Sequence, residues 1–496
     1  MDSKSAQFRE SPFRKPYVWC FTTYFAEGFP YSIIRAVSSV FFRDMGVTLE
    51  SIGLTSLYGL PWILKFFWGP QVDEFGSKRK WMLSMQGLIT LLFLVTAFAV
   101  PFPGSTRSIA VLFFIGAFFA ATHDIAIDGY YLAAFDKQGQ AKFVGYRIMA
   151  YRMALMTGSM VIITLSAARG WFLGFLAAAF IMILLFVYHL FFLPEYEKER
   201  RPVSQLWRSL GKSRALPYLI GTVILLPILV CFLRSIRSHA ANPAAPLTEA
   251  WLSRGISFAL LGILLLLAIF RRSLTARITR NPHSFYARSF LNFMDQPKIG
   301  VILAFIVLVR AGEFMLTSMV PPFMVDLGIK IHYGWISGGV SIPSSIAGAM
   351  LGGWLISRYG MKKMIWPFLL AQNLTNLVYM ALAFGMSGYL AANTGAVHPL
   401  PLPVIRLAAV AGVHGFDQFA SGLGSAVLIT FIMRLCRDEF KAAHFAIGSG
   451  LMSLSGVFAG IGGGLLASWL GYGMFFGISF LFSLPGMALI FFIPKE

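Results

Sequence analysis

The stretch "GPQVDEFGSKRK", residues 69–80, has a counterpart later in the chain, "GWLISRYGMKK", residues 353–363. Both copies place a second glycine seven residues after the first and follow it with basic residues. Each copy also follows the second long apolar run of its half of the chain. Because the same loop occurs at the same place in both halves, the sequence predicts an internal repeat.

The composition places most of this chain in lipid and not in water. Its 496 residues are 57% hydrophobic and 12% charged, and the mean hydropathy is +0.71. A water-soluble domain of this length is less apolar. Apolar runs of about 20 residues recur, each long enough to cross a hydrocarbon core about 30 Å thick as a helix. Fourteen membrane-spanning helices are predicted, at residues 17–41, 51–69, 81–101, 108–134, 142–166, 171–193, 217–233, 252–270, 299–325, 335–357, 364–387, 403–432, 444–468 and 474–493.

The positive charge is concentrated on one side of the predicted membrane topology. The formal net charge is +20, and 28 of the 41 Lys and Arg residues lie in segments that are cytoplasmic if the amino terminus is cytoplasmic. This asymmetry is the positive-inside pattern, which indicates orientation and contact with anionic lipid headgroups, not nucleic-acid binding. Both termini are therefore predicted in the cytoplasm. The first apolar run lacks a small-residue cleavage site and is predicted to be retained.

Two basic stretches, residues 195–215 and 271–298, bracket two of the apolar runs in the middle of the chain. Six runs remain on each side of this block. Parallel six-helix repeats with a solute site at their interface are the major facilitator architecture of secondary transporters. The predicted fold is an all-α integral membrane protein with two six-helix bundles and two inserted central helices. The predicted boundaries are a cytoplasmic segment at 1–16, an N-terminal bundle at 17–194, linkers with the inserted helices at 195–298, and a C-terminal bundle at 299–496.

The repeated loop carries a candidate conformational latch. Its glycines permit a tight turn and a close approach of helices, and its charged residues can bind neighbouring helix ends and favour one conformation. The second copy has Ser357 in place of the aspartate, which predicts a weaker latch there. The alternative is that the loop is basic only because short cytoplasmic loops usually are. The latch residues are Gly69, Asp73, Gly76, Arg79 and Arg358.

The segment "ATHDIAIDGYY", residues 121–131, places two aspartates inside an apolar run. A charge isolated at the middle of a bilayer costs at least about 2.5–3.5 kcal/mol, so each needs a partner, a cavity or a function. Asp124 and Asp128 are four residues apart and share one helix face, which must point inward. Burial and a neighbouring negative charge both help a carboxylate to hold a proton, so this pair, beside His123, is a candidate for proton exchange. The alternative is that either aspartate only anchors a basic side chain.

Basic residues that could pair with these aspartates follow in "GYRIMAYRM", residues 145–153. Arg147 and Arg152 are five residues apart and point in directions that differ by about 140°, so they cannot both face one small site. Arg147 is near enough to the cytoplasmic surface for its side chain to snorkel, which is its structural alternative. Arg152 lies deeper in its span and requires a partner.

The first two spans contribute three more ionisable residues. In "FAEGFPYSIIRA", residues 25–36, Glu27 and Arg35 flank a Gly-Phe-Pro sequence that predicts a kinked or unwound helix. Broken helices expose backbone groups to the solute in transporters. Lys65 lies close to the inner surface, where snorkelling of its side chain is the favoured interpretation.

The second half has its own polar residues. In "VLVRAGEFM", residues 307–315, Arg310 and Glu313 have a spacing that permits an intrahelical ion pair. This pair could open when Glu313 is protonated or when an acidic ligand takes Arg310. Gln372 and Asn376 share a helix face and could equally bind a polar ligand or a neighbouring helix.

A further segment, "HGFDQFASGLG" at residues 414–424, adds a carboxylate and an amide to a glycine-rich helix. The candidate proton-coupling residues are Asp124, Glu313, Asp128 and Asp417. The candidate substrate-binding residues are Arg310, Arg152, Arg35, Arg147, Glu27, Gln372, Asn376, Gln418 and Tyr146. The cysteines, Cys20, Cys231 and Cys436, are isolated, and no metal, cofactor or catalytic site is predicted.

In their order and spacing, these motifs resemble the anhydromuropeptide permease (AmpG) family of the major facilitator superfamily over most of both halves. Residues 52–73 are similar to that family's second span and following loop, and residues 121–131 to its fourth-span signature. Arg310 and Glu313 are conservative replacements in its Lys-x-Gly-Asp pattern. Arg152 replaces a residue that is usually apolar.

The resemblance implies proton-driven import of cell-wall turnover fragments, sugar-peptides with an anhydro-muramyl group, through the bacterial inner membrane. It implies a small anionic solute, protons and membrane lipids as partners, no nucleic acid and a functional monomer. Related sequences transport acetyl-CoA or siderophores. Tyr146 and Arg147 favour the muropeptide branch, while the departures at His123, Glu27 and Arg152 leave another anionic solute as the alternative.

Two other classes of function are less consistent with the sequence. A membrane-embedded acyltransferase would need a catalytic base beside an acyl-donor site, and no such motif occurs. The repeated halves also favour transport over catalysis. A sensor built on a transporter scaffold would bind a ligand without moving it, and it stays open as a further alternative.

Overall fold

The computed structural model describes residues 12–65, 68–196, 201, 202, 205, 285–437 and 441–493. Within these ranges the chain is almost entirely helical, with an isolated β-bridge between Phe75 and Arg201. We call the described part of residues 12–196 the N-half and that of residues 285–493 the C-half. The inserted helices predicted at 217–233 and 252–270 lie outside the described residues, as does Cys231.

The N-half contains six spans. The first runs without interruption through α1 (Pro16–Ser32), a π-helical turn (Ile33–Val37) and α2 (Ser38–Asp44). The second comprises α3 (Leu49–Gly53), a 3₁₀ segment (Leu54–Gly59), α4 (Leu60–Leu64) and α5 (Gly69–Glu74). The third and fourth are α6 (Lys78–Ala99) and α7 (Ser105–Ala134). The fifth comprises α8 (Lys137–Met156), a π-helical turn (Thr157–Ile163) and α9 (Thr164–Arg169), and the sixth is α10 (Trp171–Phe192).

The C-half begins with a short helix, α11 (Phe285–Met294), inside the segment predicted as a linker. Its first span comprises α12 (Ile299–Leu308) and α13 (Ala311–Asp326). The second comprises α14 (Lys330–Trp335), a π-helical turn (Ile336–Ser341) and α15 (Ile342–Tyr359). The third is α16 (Met361–Gly385), followed by the short α17 (Ser387–Asn393), and the fourth is α18 (Val404–Arg434). The fifth and sixth are joined in α19 (Lys441–Ala488), which continues into a 3₁₀ turn (Leu489–Phe491).

Within the described residues, nine helical segments are long and apolar enough to cross a membrane. One of them, Ile447–Phe491, holds two predicted spans on either side of Gly471, whose φ of 70° bends the chain. The first two spans of the N-half are not among the nine, and they carry Glu27, Arg35 and Lys65. The described helices therefore account for the twelve spans predicted outside the central insert.

The second glycine of the repeated loop has a positive φ in both halves. Gly76 has a φ of 70° and Gly360 a φ of 85°, in the left-handed region that favours glycine. A Cβ at Gly69 or Gly353, in contrast, would meet nothing within 4 Å. The sequence repeat thus gives a positive-φ glycine in both halves, while the close approach of helices that the first glycine would permit is not seen at Gly69 or Gly353.

The irregular segments differ from the predicted ones. The first span does not unwind at Gly-Phe-Pro. Helix α1 continues through Pro30 to Ser32, and the π-helical turn Ile33–Val37 follows directly. In such a turn each hydrogen bond spans five residues and not four, and the turn commonly marks a functional site. The C-half breaks at Arg310 instead, between α12 and α13, where a continuous span was predicted. Arg310 has φ −110° and ψ 8°, outside the helical region.

Glycines bring the two halves into backbone contact at one end of the protein. We call the end that carries Pro16 and Phe491 the terminal end and the opposite end the distal end. Near the distal end, a Cβ added to Gly464 would lie 2.5 Å from the carbonyl oxygen of Leu49 and 2.8 Å from the Cα of Gly53. No side chain fits there, so the second span of the N-half crosses the fifth span of the C-half at backbone distance.

The equivalent crossing on the other side uses glycines of the C-half. A Cβ at Gly334 would lie 2.2 Å from Oγ1 of Thr164, and a Cβ at Gly338 would lie 2.8 Å from the Cβ of Met160. Here the second span of the C-half meets the fifth span of the N-half. The two crossings are related by the internal repeat, and both lie in the distal part of the protein.

Two ion pairs also join the halves at the distal end. The guanidinium of Arg43 binds both carboxylate oxygens of Asp326 at 2.7 Å, and the hydroxyl of Tyr472 donates to Asp326 at 2.6 Å. Lys330 donates to Asp44 at 2.7 Å. The structure is therefore closed between its halves at the distal end.

Replacing Gly464 by valine should weaken this closure, because the new Cβ would overlap the carbonyl oxygen of Leu49. Overpacking of this kind costs about 1–3 kcal/mol, so we expect a lower midpoint of thermal unfolding for the protein purified in detergent. Gly462→Val is the matched control on the same helix, since a Cβ at Gly462 meets nothing within 4 Å. Equal midpoints for the two variants would contradict the proposed contact.

Candidate functional site

A cavity of about 460 Å³ lies between the N-half and the C-half. Among its described lining residues, the charged side chains are Arg35 from the N-half and Arg310 from the C-half. Aromatic rings and hydroxyl groups make up much of the remaining wall, including those of Tyr31, Ser56, Trp62, Phe314, Thr317 and Tyr333. A positively charged cavity with these groups suits an anionic solute that also carries hydroxyl groups and apolar faces.

Arg35 is held in the cavity wall by irregular backbone on two spans. It lies in the π-helical turn Ile33–Val37, and its Nη1 donates to the carbonyl oxygens of Ser56 at 2.9 Å and Thr55 at 3.4 Å. The 3₁₀ segment leaves those carbonyls available. A Cβ at Gly59 would lie 3.2 Å from the guanidinium carbon, so this glycine makes room for the side chain. No carboxylate of a described residue forms an ion pair with Arg35.

Arg310 forms the ion pair that its spacing from Glu313 predicts. Nη2 of Arg310 binds one carboxylate oxygen at 2.5 Å, and Nε binds the other. The guanidinium also lies 4.9 Å from the ring centre of Phe314, a cation–π contact. Because Arg310 occupies the break between α12 and α13, it reaches the cavity wall and Glu313 at once.

Glu313 itself is buried behind the cavity, with 2% of its surface exposed. Besides Arg310, it accepts hydrogen bonds from Nε2 of Gln372 and from the hydroxyl of Ser421. These donors come from two further spans of the C-half, α16 and α18. The carboxylate is therefore fully supplied with donors, as a buried charge requires.

The fourth span of the N-half carries a second charged cluster. Asp124 pairs with Lys65, and Asp128 pairs with Arg147 at 3.0 Å. The hydroxyl of Tyr24 donates to Asp128 at 2.9 Å, and Arg147 lies 4.7 Å from the ring centre of Tyr24. The prediction that Lys65 snorkels to the surface is wrong, because its side chain reaches inward to Asp124. Arg147, predicted to bind substrate with snorkelling as the alternative, pairs with Asp128 and does not line the cavity.

Glu27 joins this cluster and does not lie on the cavity wall, where a substrate-binding residue would be expected. Its electrostatic neighbours include Asp124, Asp128 and Arg147, and its Oε2 is buried without a hydrogen-bond partner among the described residues. The described cluster thus has three carboxyl groups for the two basic groups of Lys65 and Arg147.

Two other predicted substrate-binding residues are not brought to the cavity. Arg152 is half-buried, does not line the cavity and forms no ion pair with a described residue. Tyr146 is 40% exposed, and its ring packs 5.2 Å from that of Tyr17 in the first span. The five-residue spacing correctly separates Arg147 from Arg152, but it does not reveal which of them faces the site.

The other predicted polar site residues of the C-half form hydrogen bonds within the C-half. Asn376 is fully buried and donates to Ser479 at 3.0 Å. Asp417 is also buried and accepts from Thr375 at 2.7 Å and from Gln418 at 3.1 Å. Gln418 also lines the cavity, so Asp417 lies one residue behind the cavity wall.

The two copies of the predicted latch differ in their contacts. Arg79 donates to the carbonyl oxygens of Leu190 at 2.7 Å and Leu193 at 3.0 Å, and it pairs with Glu195 at 3.1 Å. These acceptors lie at the end of α10, where the helix dipole favours a cation. Arg358 stacks on the aromatic rings of its own helix instead. The side chain of Asp73 is outside the described residues.

Sequence analysis missed the distal ion pairs, whose members are Arg43, Asp44, Asp326 and Lys330. All four lie at the distal ends of spans, in the last turn of α2, at the end of α13 and at the start of α14, where charged residues are ordinary. The pairs join residues that are 283 and 286 positions apart. No local spacing could have linked them.

Comparison with known proteins gives a family and several relatives. Residues 20–416 match the model of the Major Facilitator Superfamily. The anhydromuropeptide permease of Escherichia coli (strain K12) is 21% identical over 477 residues, which cover 94% of this chain and 77% of that protein. An uncharacterized protein of Haemophilus influenzae is 24% identical over 491 residues, covering 97% of this chain and 95% of that protein.

Two kinds of solved structure share the fold. A crystal structure of the peptide transporter POT in complex with sulfate superimposes with a TM-score of 0.63 at 15% identity and covers 97% of this chain and 96% of that one. The nucleoside transporter NupG superimposes with a TM-score of 0.59 at 13% identity and covers 97% of this chain and 100% of that one.

The Lys65–Asp124 pair predicts a non-additive effect on stability. Lys65→Met should leave Asp124 as an uncompensated charge and lower the thermal midpoint, while adding Asp124→Leu should recover most of the loss. Breaking a fully buried pair costs about 3–5 kcal/mol, and the 35% exposure of the Lys65 side chain reduces the cost here. The measurement is thermal unfolding of both single variants and the double variant. Additive losses would contradict the pairing.

Proposed function

The chain belongs to the Major Facilitator Superfamily of membrane transporters, and on this basis we propose that it imports anhydromuropeptides in symport with protons. In this proposal the protein resides in the bacterial inner membrane with both termini in the cytoplasm. The solute enters from the periplasm at the distal end and leaves at the terminal end. The two halves alternate access to the cavity between them.

The main support for the proposal is the cavity to which each half contributes one arginine. Muropeptides combine several carboxylates with sugar rings, and the planar fork of arginine matches a carboxylate through two hydrogen bonds. Arg35 and Arg310 supply two such forks, and the rings of Tyr31 and Trp62 supply faces for sugars. The volume of about 460 Å³ falls within the range of about 300–1,000 Å³ that is usual for ligand sites.

The relatives support the choice of solute class. The Escherichia coli protein that covers nearly the whole chain is an anhydromuropeptide permease by name. The chain keeps an acidic pair on the fourth span and a basic–acidic pair on the first span of the C-half, where the family resemblance expects them. The cationic cavity fits an acidic solute of that class.

In the proposed mechanism, Glu313 couples proton and solute through Arg310. When a solute carboxylate binds Arg310, Glu313 loses its counterion while it stays buried. A buried carboxylate without a counterion is neutralised by a proton, because the ionised form is far more costly. Solute and proton therefore bind together. Each proton that enters adds about 2.3 kcal/mol per 100 mV of membrane potential to the driving force.

The N-half cluster supplies a second place for a proton. The cluster has more carboxyl groups than basic groups among the described residues. In the proposal, Asp124 exchanges its proton when Lys65 changes partner during the rocking of the halves. Asp128 stays paired with Arg147 throughout.

The cavity arginines predict a selective loss of affinity. Arg35→Gln and Arg310→Gln should each raise the KM for uptake of a labelled anhydromuropeptide by about tenfold or more, because each removes a charge-assisted hydrogen bond of about 1.5–3 kcal/mol. Uptake is measured in proteoliposomes with an imposed proton gradient. Arg406→Gln is the control, since Arg406 is an exposed arginine outside the cavity. An unchanged KM in both cavity variants would refute this binding site.

The coupling residues predict a different signature. Glu313→Gln and Asp124→Asn should reduce gradient-driven accumulation by about tenfold or more, while exchange of internal for external solute without a gradient should persist in at least one of them. If both variants accumulate solute at the wild-type rate and with the wild-type pH dependence, the coupling assignment is wrong. Accumulation of acetyl-CoA or a siderophore in place of the muropeptide would support a transport function but contradict the proposed solute.

The distal ion pair predicts rescue by exchange of charges. Arg43→Asp should slow uptake, because opposing carboxylates at the distal end disfavour its closure. The double variant Arg43→Asp with Asp326→Arg should recover a large part of the rate. Uptake under the same gradient is the measurement. A double variant that is slower than both single variants would argue against a role of this pair in closure.

A further inference from the structure

A second cavity, of about 490 Å³, lies at the terminal end of the C-half. It is bounded by the start of α16, the end of α18, the segment just before α12 and the last turns of the chain. These boundaries are the ends of membrane-spanning helices, where headgroups meet the hydrocarbon core. The cavity is separate from the central one, with which it shares no lining residue.

The rim of this second cavity is basic. Among its described lining residues, the charged side chains are Lys362, Arg434 and Arg437, and all three residues are exposed. None of them forms an ion pair with a described carboxylate. Lys362 begins one helix and Arg434 ends another, so the positive charges come from separate parts of the fold and meet around one opening.

The interior of the second cavity is apolar. Ile302, Ile365 and Phe431 belong to the core of the C-half and lie in its wall. Trp366 and Phe491 close one side, with their ring centres 5.0 Å apart. Tryptophan is common at this depth, since its ring suits the boundary between headgroups and hydrocarbon.

We propose that this cavity binds an anionic phospholipid of the surrounding bilayer, with its phosphate on the basic rim and part of an acyl chain in the apolar interior. A free phosphate ion would use the rim but would gain nothing from the isoleucines and aromatic rings. A zwitterionic lipid would gain from the interior but carries no net charge to match three cations. Basic pockets between helices on one membrane face bind anionic headgroups by this combination.

Lipid binding would change the stability of the C-half and not that of the N-half. The bound lipid would bridge the terminal ends of four spans, the first, third, fourth and sixth of the C-half. It would also compensate the mutual repulsion of Lys362, Arg434 and Arg437. We therefore expect an anionic lipid to stabilise the C-half without entering the transport cavity.

Lipid retention by the full chain tests the proposal. Native mass spectrometry of protein from micelles with equal amounts of phosphatidylglycerol and phosphatidylcholine should show phosphatidylglycerol retained preferentially. Lys362→Gln with Arg434→Gln should lower its retention by about tenfold. The matched control is Lys363→Gln with Arg406→Gln, on the same two helices and with the same change in charge, but outside the cavity. Equal retention of both lipids, or an equal loss in both double variants, would overturn the proposal.

A chemical probe gives a readout that leaves the basic residues unchanged. Cys436 lines the second cavity, while Cys20 is fully buried. In a Cys231→Ser background, phosphatidylglycerol should slow maleimide labelling of Cys436 severalfold relative to phosphatidylcholine. Inorganic phosphate at the same concentration should not protect it. Protection by phosphate alone would identify a site for a soluble anion and refute the lipid.

Discussion

The cost of an ionised group in hydrocarbon governs how this protein is arranged. The pairs Asp124 with Lys65, Asp128 with Arg147, and Glu313 with Arg310 each join residues of the same half. Either half can therefore move relative to the other without separating these three pairs. Of the ion pairs between the halves, Lys330–Asp44 is partly exposed, whereas Arg43–Asp326 is mostly buried, so opening the distal end separates one buried pair.

The lipid environment also determines how the two halves contact each other. Lipid chains are as apolar as the side chains that face them, so burial of apolar surface does not by itself hold the two halves together. Close backbone packing supplies the attraction instead, at Gly53 and Gly464 on one side and at Gly334 and Gly338 on the other. Because the internal repeat relates these crossings, the distal closure is nearly symmetric.

The sequence predicts the features that depend on local or periodic patterns. The apolar runs predict the twelve described spans, and the second glycine of each loop copy predicts the turn. The spacing of Arg310 and Glu313 predicts their ion pair. Contacts set by helix rotation and by distant chain segments were not predictable. The partner of Asp124 is 59 residues away, and a helical wheel does not indicate whether Arg147 or Arg152 faces inward.

Arg310 connects the features that a coupled transporter requires. Its place at a helix break lets one guanidinium reach the cavity and the buried carboxylate of Glu313 together. In the proposed mechanism, a solute carboxylate and Glu313 therefore compete for the same cation. The hydroxyl of Ser421 beside Glu313 can donate to the ionised carboxylate or accept from the protonated one. The site can thus hydrogen-bond Glu313 in either protonation state, and in the proposed mechanism the competition for Arg310 determines which state is populated.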